Sequence, residues 1–434
     1  MKKINVGIIG FGTVGAGTVE ILLKNRDIIS SRVGSEIIVK RIADLDIQSD
    51  RGISIDPGVL TTDVSEVLND PEIDVVIELM GGLTRAKDFI LEALGNGKHV
   101  VTANKALLAE CGKEIYEAAE KNRVSLGFEA SVGGGIPVLK SLTEGLSGNH
   151  IKTIMGILNG TSNYILTKMA VDGLPYNKVV GEAIELGYAE DPPDLDVNGT
   201  DTAHKLAILI SLSFGSVVSF DSIHREGIDK LTPEDIQFAD EFGYTIKLLA
   251  VAKDHGDTVE ARVHPAMVPK DHIMANVNDV YNAVYIEGDY AGPTLHFGLG
   301  AGRDATGSAV VSDIITIARS MVQGAADMAP PLAHIKALRD EIVIKPIEEL
   351  ETAYYFRFSA IDKPGVLSKI SGILGDNQIS ISSVIQKGRE IEGSVSVVML
   401  THEARESNVK KALDLIEELD VLKGETIMIR VAQS

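Results

Sequence analysis

Residues 4–15 combine an apolar run with a glycine-rich turn, and they read Ile-Asn-Val-Gly-Ile-Ile-Gly-Phe-Gly-Thr-Val-Gly. The run is typical of a buried β-strand, and apolar residues with helical spacing follow the turn. In the pattern G-x-G-x-x-G, Gly10 allows the tight turn, Gly12 lets the backbone approach a pyrophosphate, and Gly15 lets helix and strand pack closely. The following helix would face the phosphates with its first N–H groups. The segment therefore predicts a dinucleotide site, with a plain glycine turn as the alternative.

Strand and helix patterns alternate from this segment to about residue 135. Strands are predicted at 37–42, 74–79, 99–102 and 125–129. Helices are predicted between them, for example at 89–94 and 106–119. This order implies a parallel sheet with helices on both faces, which is a Rossmann-type doubly wound α/β fold.

The pattern changes after residue 135, where an α+β region is expected. Helices are predicted at 161–170, 176–186, 200–213 and about 305–323, and strands at 259–263 and 280–286. From residue 353 the order is strand, helix, strand, strand, helix, strand, at 354–361, 366–376, 380–386, 393–401, 406–419 and 426–431. This βαββαβ order predicts a ferredoxin-like unit.

A chain of 434 residues is too long for one hydrophobic core. The patterns divide it into 1–135 plus about 305–325 for the dinucleotide, a second domain of 136–304, a proline-containing connector of 326–350, and a C-terminal domain of 351–434.

Composition excludes several classes of protein. The chain has 41 basic and 62 acidic residues and a formal net charge of -21, which argues against nucleic acid and anionic membranes as partners. The apolar run before Gly10 is too short for a signal peptide, and no stretch approaches the length of a membrane span. The single cysteine, Cys111, excludes a disulfide framework and a cysteine-rich zinc site. A cytoplasmic location is expected.

The end of the second strand bears on the choice of cofactor and reads Lys40-Arg41-Ile42-Ala43-Asp44. A carboxylate such as Asp44 would accept hydrogen bonds from a ribose 2′-hydroxyl and favour NAD. Lys40 or Arg41 could instead pair with the 2′-phosphate of NADP. A solvated charge cluster is a third interpretation, so the choice stays open. Thr13 and Val14 would contribute backbone groups to the phosphates.

Charged residues that could do chemistry lie in two segments of the chain. Lys105 lies just beyond the strand at 99–102, at the sheet edge where cofactors bind in doubly wound folds. Residues 187–205 read Gly-Tyr-Ala-Glu-Asp-Pro-Pro-Asp-Leu-Asp-Val-Asn-Gly-Thr-Asp-Thr-Ala-His-Lys. Asp201 and Lys205 stand four residues apart and so share one face of a helix. A surface ion pair is the alternative interpretation of these two residues.

These motifs closely resemble those of homoserine dehydrogenases. The shared features are the glycine turn, Thr-Ala-Asn-Lys, Gly-Tyr-Ala-Glu-x-x-Pro-x-x-Asp, Asp-x-x-x-Lys and Gly-Ala-Gly, and they cover about residues 4–325. Leu299 departs from the pattern, since the family is expected to have proline there, and Arg303 and Asp304 are also unexpected.

The resemblance implies the interconversion of L-homoserine and L-aspartate 4-semialdehyde by hydride transfer with NAD(P). It implies that Lys205 is the main acid/base residue, that Asp201 holds this lysine and the substrate, and that Lys105 meets the nicotinamide or the substrate. Reduction of an aldehyde makes an alkoxide, which a positioned ammonium group stabilises and protonates. Nearby carboxylates favour the protonated lysine. The protonated form is therefore expected to suit aldehyde reduction better than homoserine oxidation.

The resemblance also assigns the remaining site residues. Glu190 and Asp196 would bind the substrate ammonium group or the lysine network, and Gly187 and Gly302 would approach the cofactor by their backbones. Residues 136–304 would bind substrate and dimerise.

A monovalent cation, usually sodium, is implied near a glycine-rich turn. Its ligand residues by resemblance are Glu129, Val132, Gly134 and Ile136. A flexible turn at 133–135 is the alternative interpretation.

Residues 362–370 read Asp-Lys-Pro-Gly-Val-Leu-Ser-Lys-Ile and resemble the start of an ACT domain, which would extend over about 353–431. Such domains usually pair and bind amino acids, so Asp362 and Gly365 become candidate regulatory residues and L-threonine the candidate effector. A structural dimerisation module is the alternative, and a homodimer or homotetramer is expected. A chain ending near Glu348 is expected to keep the reductase chemistry.

Two other functions are alternatives to this one. Another Rossmann reductase of amino-acid metabolism, such as an aspartate-semialdehyde dehydrogenase, would need a nucleophilic cysteine in an exposed turn, where Cys111 does not lie. A non-catalytic NAD-linked sensor would not need Lys105, Glu190, Asp201 and Lys205. A fused aspartate kinase is not expected, because the glycine turn begins at residue 10.

Overall fold

The computed structural model describes residues 3–324, 330–335, 342–386 and 394–432. Numbered in chain order, its strands are β1 (Ile4–Ile9), β2 (Ile37–Ala43), β3 (Leu60–Thr61), β4 (Val75–Glu78), β5 (His99–Thr102), β6 (Leu126–Gly127), β7 (Ile151–Ile157), β8 (His224–Arg225), β9 (Tyr244–Asp254), β10 (Val259–Pro269), β11 (Tyr281–Gly288), β12 (Gly292–Leu299), β13 (Glu351–Thr352), β14 (Tyr354–Ala360), β15 (Ile381–Gln386), β16 (Val395–Thr401), β17 (Ala404–Arg405) and β18 (Ile427–Val431).

The α-helices alternate with these strands. They are α1 (Thr13–Lys24), α2 (Arg26–Val33), α3 (Ser65–Leu68), α4 (Thr84–Gly95), α5 (Lys105–Asn122), α6 (Val138–Lys140), α7 (Gly160–Asp172), α8 (Tyr176–Glu185), α9 (Asp194–Val197), α10 (Thr200–Phe214), α11 (Pro233–Glu241), α12 (Arg303–Gln323), α13 (Val366–Asp376) and α14 (Glu406–Glu417). Within the described ranges, no helix is long and apolar enough to cross a lipid bilayer.

The chain forms two compact units. The first unit comprises Met1–Leu158, Asp201–Ser222 and Tyr281–Ile342, and the second comprises Asn159–Thr200, Ile223–Val280 and Val343–Ser434. Residues 326–329 and 336–341 of the expected connector, and Gly393 at the expected start of a strand, lie outside the described residues.

The first unit contains a six-stranded parallel sheet in the order β3-β2-β1-β4-β5-β6. This order confirms the predicted doubly wound fold, and the strand order reverses between β1 and β4, where such folds bind ligands. The apolar run of β1 fits this place because helices cover both faces of the sheet, and Val6 and Ile8 are fully buried. Gly10 therefore lies at the carboxyl end of the central strand.

Helix α12 packs on α1 within the same unit through close backbone contacts. A side-chain carbon on Gly17 would lie 2.3 Å from the carbonyl oxygen of Arg303, and one on Gly307 would lie 2.9 Å from the nitrogen of Thr18. Glycine at both positions lets the two helices approach each other. The unit also contains β12, β11 and β7, which pair antiparallel in that order.

One expected strand in the first unit is shorter than predicted. The prediction covered 125–129, but β6 ends at Gly127, and Glu129–Ser131 form a 3-10 helix. A side-chain carbon on Gly127 would lie 2.7 Å from Cβ of Asp313 on α12, and the N–H of Glu129 donates a hydrogen bond of 2.8 Å to Asp313 Oδ2 and not to a neighbouring strand. The prediction was wrong for 125 and for 128–129.

The second unit contains a sheet in the order β9-β10-β18-β14-β16-β15, with β8 beside β10. Elements β14, α13, β15, β16, α14 and β18 form the predicted ferredoxin-like unit. Alternate residues of β14, namely Tyr354, Phe356 and Phe358, are buried in a core with residues of α13 and α14. Strand β18 pairs with β10 in parallel, so the C-terminal region shares its sheet with the preceding part of this unit.

Candidate active site

The glycine turn after β1 has the geometry that its sequence predicts. Gly10 has φ +100°, and a side-chain carbon there would lie 2.6 Å from the carbonyl carbon of Leu79. A side-chain carbon on Gly15 would lie 2.3 Å from the Gly10 oxygen, whereas one on Gly12 would meet no described atom within 4 Å. Gly10 and Gly15 are therefore required by packing, and Gly12 borders open space that a pyrophosphate could fill.

The N-terminus of α1 lies beside this space. Its N-cap is Gly12, and within the described part of the chain no side chain caps it. The N–H groups of the first turn, including those of Thr13 and Val14, precede the intrahelical hydrogen-bond pattern. Together with the helix dipole they suit a phosphate group.

Asp44, at the end of β2, binds the glycine turn. One carboxylate oxygen accepts a short hydrogen bond from the N–H of Phe11, and the other accepts a bond of 2.8 Å from the N–H of Asp46. The carboxylate therefore lies beside the dinucleotide turn.

The cations before Asp44 have partners of their own. The Nζ atom of Lys40 lies 2.7 Å from Asp70, and Arg41 donates a hydrogen bond of 2.6 Å to the carbonyl of Gly58. Of the three charged residues named for the ribose, Asp44 is the one whose side chain contacts the glycine turn.

Two lysines and one aspartate meet in the first unit. Asp201 Oδ1 lies 2.8 Å from Nζ of Lys105, and Asp201 Oδ2 lies 2.7 Å from Nζ of Lys205. Lys205 Nζ also donates a hydrogen bond of 2.5 Å to the carbonyl of Leu158. Lys205 and Asp201 are buried on α10, whereas the Lys105 side chain, at the start of α5, is 42% exposed. The cluster therefore runs from the interior towards the surface.

The charge of Asp201 is fixed by its neighbours. Burial alone would raise the pKa of its carboxyl, but the ammonium groups of Lys205 and Lys105 hold that pKa well below its usual range. Asp201 is therefore ionised at neutral pH and holds both ammonium groups in place. The alternative interpretation, an exposed ion pair, does not fit this burial.

The acidic segment 187–199 lies in the second unit. Its Asp196 accepts a hydrogen bond of 2.8 Å from the amide of Asn159 at the N-cap of α7, and its carbonyl accepts one of 2.6 Å from the Ser162 hydroxyl. Glu190 is exposed, and Gly187 has φ +74°. The segment thus presents one carboxylate to solvent and holds a second against α7.

Three regions of the chain match sequence profiles of known families. Residues 137–315 match homoserine dehydrogenase, residues 10–129 match the homoserine dehydrogenase NAD binding domain, and residues 354–421 match the ACT domain. A homoserine dehydrogenase of Neisseria gonorrhoeae is 44% identical over 431 residues, which are 99% of each chain. One of Pseudomonas aeruginosa is 44% identical over 434 residues, which are 100% of each chain. The chain belongs to the homoserine dehydrogenase family.

Solved structures agree with this assignment. The crystal structure of a homoserine dehydrogenase from Thiobacillus denitrificans has a TM-score of 0.94 and 44% identity and covers 100% of this chain and 99% of its own. A hyperthermophilic archaeal homoserine dehydrogenase in complex with NADPH has a TM-score of 0.62 and 27% identity and covers 73% of this chain and 97% of its own. The predicted family, its oxidoreductase class and the Rossmann, α+β and ACT regions are confirmed. The alternatives of another reductase and a non-catalytic sensor fall away.

Glu78 is a residue that the sequence analysis missed. It is fully buried at the end of β4, where Oε1 accepts hydrogen bonds from the N–H groups of Met80 (2.9 Å) and Gly81 (3.1 Å). Its Oε2 accepts one of 2.7 Å from the hydroxyl of Thr102, which itself accepts one of 3.0 Å from the N–H of Asn104. Burial raises the pKa of the Glu78 carboxyl despite these bonds. Glu78 thereby fixes the loops after β4 and β5, including the turn that precedes Lys105 at the start of α5. An acidic residue ending the apolar run Val-Val-Ile-Glu was the signal.

Gly302 lies at the N-cap of α12 in the first unit, with φ +122°. Nearby, a side-chain carbon on Gly134 would lie 2.5 Å from the carbonyl carbon of Gly300. The two glycine-rich turns therefore touch, which explains why both contain several glycines.

The candidate cation ligands lie at and beside the turn that contains Gly133 and Gly134. These two glycines have φ +72° and +55°. In the described ranges, no group of three His, Cys, Asp or Glu side chains is placed to hold a metal ion. The named residues Glu129, Val132 and Ile136 are buried.

Glu129 is the charged member of this group. Its carboxylate accepts hydrogen bonds from the N–H groups of Leu139 (2.8 Å) and Lys140 (2.9 Å). Burial and the nearby Asp313 carboxylate raise the pKa of Glu129 to about 7. Burial therefore disfavours the charged form of Glu129, and a monovalent cation beside the carboxylate would offset part of that cost.

Two residues near the lysines have packing roles. The His204 ring is buried and stacks on Phe220 with centroids 4.3 Å apart, and its Nε2 lies 3.3 Å from Glu110. Cys111 lies within α5 and not in an exposed turn.

The candidate regulatory residues lie at the start of α13 in the second unit. Asp362 is exposed, and Gly365 is the N-cap of α13 with φ +91°. Because L residues rarely adopt that φ, any side chain introduced at position 365 would strain the turn as well as block a ligand. Asp362 is the cleaner position for a substitution.

Proposed function

We propose that this protein interconverts L-homoserine and L-aspartate 4-semialdehyde with NAD(P) and that Lys205 is its acid/base residue. The observation that carries the proposal is the buried Asp201 carboxylate between Lys105 and Lys205. Family membership supports the reaction, and the reaction would place the protein in the synthesis of threonine, methionine and isoleucine.

Lys205 transfers the proton in this mechanism. The bound nicotinamide supplies or accepts a hydride at its C4 atom. In aldehyde reduction, negative charge develops on the substrate oxygen, and the Lys205 ammonium stabilises that charge and then donates a proton to the oxygen. Asp201 and the Leu158 carbonyl fix the position of Nζ. In homoserine oxidation, Lys205 takes the hydroxyl proton back after losing its own, a loss that the Asp201 charge opposes.

Other residues bind the two ligands in our proposal. Lys105 pairs with the Asp201 carboxylate and is half-exposed. It contacts the nicotinamide or the substrate. Glu190 and Asp196 attract the substrate ammonium group. The glycine turn at residues 10–15 and the backbones of Gly187 and Gly302 hold the cofactor. Asp44 contacts the ribose.

A sodium ion near Glu129, Val132, Gly134 and Ile136 is part of the proposal. The positive-φ turn and the raised pKa of Glu129 support it. The ion would hold the turn against 300–302, and we assign it no step in the reaction.

The ACT region is proposed to bind an amino-acid effector near Asp362 and Gly365, with L-threonine the first to test, and to pair in a homo-oligomer. We also propose the division into 1–135 with about 305–325, 136–304, 326–350 and 351–434. The profile matches at 10–129 and 354–421 support its first and last parts, whereas the match at 137–315 extends past residue 304 into α12.

The test of the catalytic assignment is Lys205→Ala, with Lys168→Ala as a matched control. Lys168 pairs with Asp172 four residues away at 3.1 Å, but on an exposed helix surface. We expect Lys205→Ala to lower kcat about 100-fold or more with both NADH and NADPH, because its proton-transfer group is gone. Lys168→Ala should keep the wild-type kcat. Cofactor affinity, measured by fluorescence titration, should be unchanged in both variants. Near-wild-type turnover of Lys205→Ala would overturn the assignment.

A further inference from the structure

A buried cluster of charges joins the ACT region to the rest of the second unit. Arg430 on β18 is 1% exposed. Its guanidinium binds the carboxylate of Glu406 on α14, and it also makes two parallel bonds of 2.8 and 2.9 Å to the carboxylate of Glu226. Such a two-point contact fixes orientation as well as distance. The ACT region thus holds the Glu226 side chain in one geometry.

The backbone at 226–228 in turn contacts the acidic segment 187–199. The N–H of Glu226 donates a hydrogen bond of 2.8 Å to the carbonyl of Val263, and the N–H of Ile228 donates one of 2.9 Å to the carbonyl of Val197. Between them, a side-chain carbon on Gly227 would lie 2.6 Å from the same Val197 oxygen. Residues 226–228 and 197 therefore pack backbone against backbone.

Val197 is the residue after Asp196 and ends α9. The same contact continues at Gly199, where a side-chain carbon would lie 3.2 Å from the Glu226 carbonyl oxygen. Two residues further along the chain is Asp201. A shift of 226–228 would therefore move the backbone between the two carboxylates that the proposed function assigns to substrate and lysine.

We propose that Glu226 is a positioning residue for homoserine binding, held in place by Arg430 of the ACT region. Arg430 fixes Glu226, and the backbone at 226–228 fixes 197–199 and with it Asp196. The inference rests on the proposed function for the identity of the substrate. Glu226 acts through the segment and does not contact the reacting atoms.

A second ion pair in the same unit provides a control. Arg357 on β14 binds Asp235 with bonds of 2.6 and 2.9 Å, and Asp235 caps the start of α11 together with Thr232. This pair also joins the ACT region to the preceding part of the unit, and Asp235 is fully buried. In the described part of the chain, Arg357 and Asp235 contact residues 232–235 and Tyr355, and these contacts do not include residues 197–199.

The first experiment compares Glu226→Gln and Arg430→Lys with Arg357→Lys. Glutamine keeps the shape of Glu226 and removes its charge, and lysine keeps the charge of arginine but loses the two-point contact. We expect both Glu226→Gln and Arg430→Lys to raise the KM for homoserine about tenfold, as misplacement by a fraction of an ångström can do. The KM for NAD(P) should not change, and kcat should stay within about threefold. Arg357→Lys should lower Tm but leave the homoserine KM at the wild-type value.

The second experiment tests the backbone contact without changing any charge. Gly227→Ala adds one carbon against the Val197 oxygen, and Gly181→Ala on α8 is its control because a carbon there meets no described atom within 4 Å. We expect Gly227→Ala to raise the homoserine KM and Gly181→Ala to leave it unchanged. Amide hydrogen exchange at 194–199 should be faster in Glu226→Gln and Gly227→Ala than in the two controls. This measurement does not depend on activity.

The outcomes separate this inference from the proposed function. If the wild-type protein does not oxidise homoserine but exchange at 194–199 responds as expected, the positioning role stands and the substrate assignment fails. If the wild type is active and the Glu226 and Gly227 variants keep its homoserine KM and exchange rates, the positioning role is wrong. Equal KM increases in Arg430→Lys and Arg357→Lys would show a general loss of stability and would also overturn the inference.

Discussion

Two Asp–Lys pairs with i,i+4 spacing lie in very different surroundings in this chain. The side chains of Lys168 and Asp172 are 35% and 38% exposed, and a pair at such a surface position contributes only a few tenths of a kcal/mol. Asp201 and Lys205 are buried, and the same carboxylate also holds Lys105. The Asp201 carboxylate therefore constrains both lysine side chains at once. Removing one partner of such a buried pair would leave an uncompensated charge. Spacing alone cannot distinguish these two pairs, because it contains no information on burial.

Glu129 should make stability depend on pH. Its pKa of about 7 lies above the ordinary value of 4.5, so between these values the folded state binds a proton more tightly than the unfolded state. The free energy of unfolding therefore falls as pH rises from 4.5 to 7, by about 3 kcal/mol in all. Bound sodium would compensate the ionised carboxylate. We expect sodium chloride, compared with choline chloride, to raise Tm more at pH 8 than at pH 5.5.

Calorimetry of Glu129→Gln checks this expectation. The variant should lose both the fall in Tm with pH and most of the sodium effect. Glu144→Gln is the control, since Glu144 is exposed and lies shortly after α6. A Tm that is the same in sodium and choline at pH 8 would remove the cation from the proposed function.

Strand β2 and the turn before α1 are joined by one side chain. Asp44 accepts the N–H of Phe11, so the charge at the strand end lies beside the dinucleotide turn. A negative charge there repels a 2′-phosphate. We therefore expect NADH to serve at least as well as NADPH.

The corresponding test is Asp44→Asn, which should shift the kcat/KM ratio towards NADPH about tenfold by removing this repulsion. Asp46→Asn is the control, because Asp46 is a neighbouring carboxylate that pairs with Arg51 at 3.1 Å. A ratio that does not move, measured together with an unchanged Tm, would limit Asp44 to supporting the turn. Equal shifts in both variants would point to the general charge of the loop.

The elements with a regular pattern were predictable from the sequence, and those set by long-range contacts were not. Helix α13 and the glycine turn after β1 have the predicted bounds because apolar spacing and glycines determine them locally. The strand at 125–129 was overestimated because Asp313 on α12, distant in sequence, accepts the hydrogen bond from the N–H of Glu129. The residues of the Lys205 cluster could be named from their motifs. The role of Glu78 could not, since it depends on two loops that meet only in the folded sheet.

At the scale of the whole molecule, the chain matches its relatives from end to end, but it also resembles shorter proteins. The match to the archaeal homoserine dehydrogenase with NADPH covers 73% of this chain. Such proteins have a similar fold with fewer residues. In this chain, however, the ACT region is part of the second unit's sheet, because β18 pairs with β10 and Arg430 binds Glu226. The C-terminal region is therefore a structural part of that unit as well as a candidate sensor.

This pairing changes what truncation near Glu348 should do. The sequence alone predicts that the reductase chemistry survives, but truncation would expose the edge of β10 and leave Glu226 and the fully buried Asp235 without Arg430 and Arg357. We expect the truncated chain to keep cofactor affinity, because the glycine turn lies in the first unit, but to have a lower Tm and a higher homoserine KM. Calorimetry and steady-state kinetics at several protein concentrations would measure both, since loss of self-association could also lower activity.

Adding Glu226→Gln and Asp235→Asn to the truncated chain should recover part of the lost Tm by removing the uncompensated charges. A truncated chain with the Tm and homoserine KM of the full-length protein would show that the ACT region contributes nothing to the second unit and acts, if at all, only through its effector.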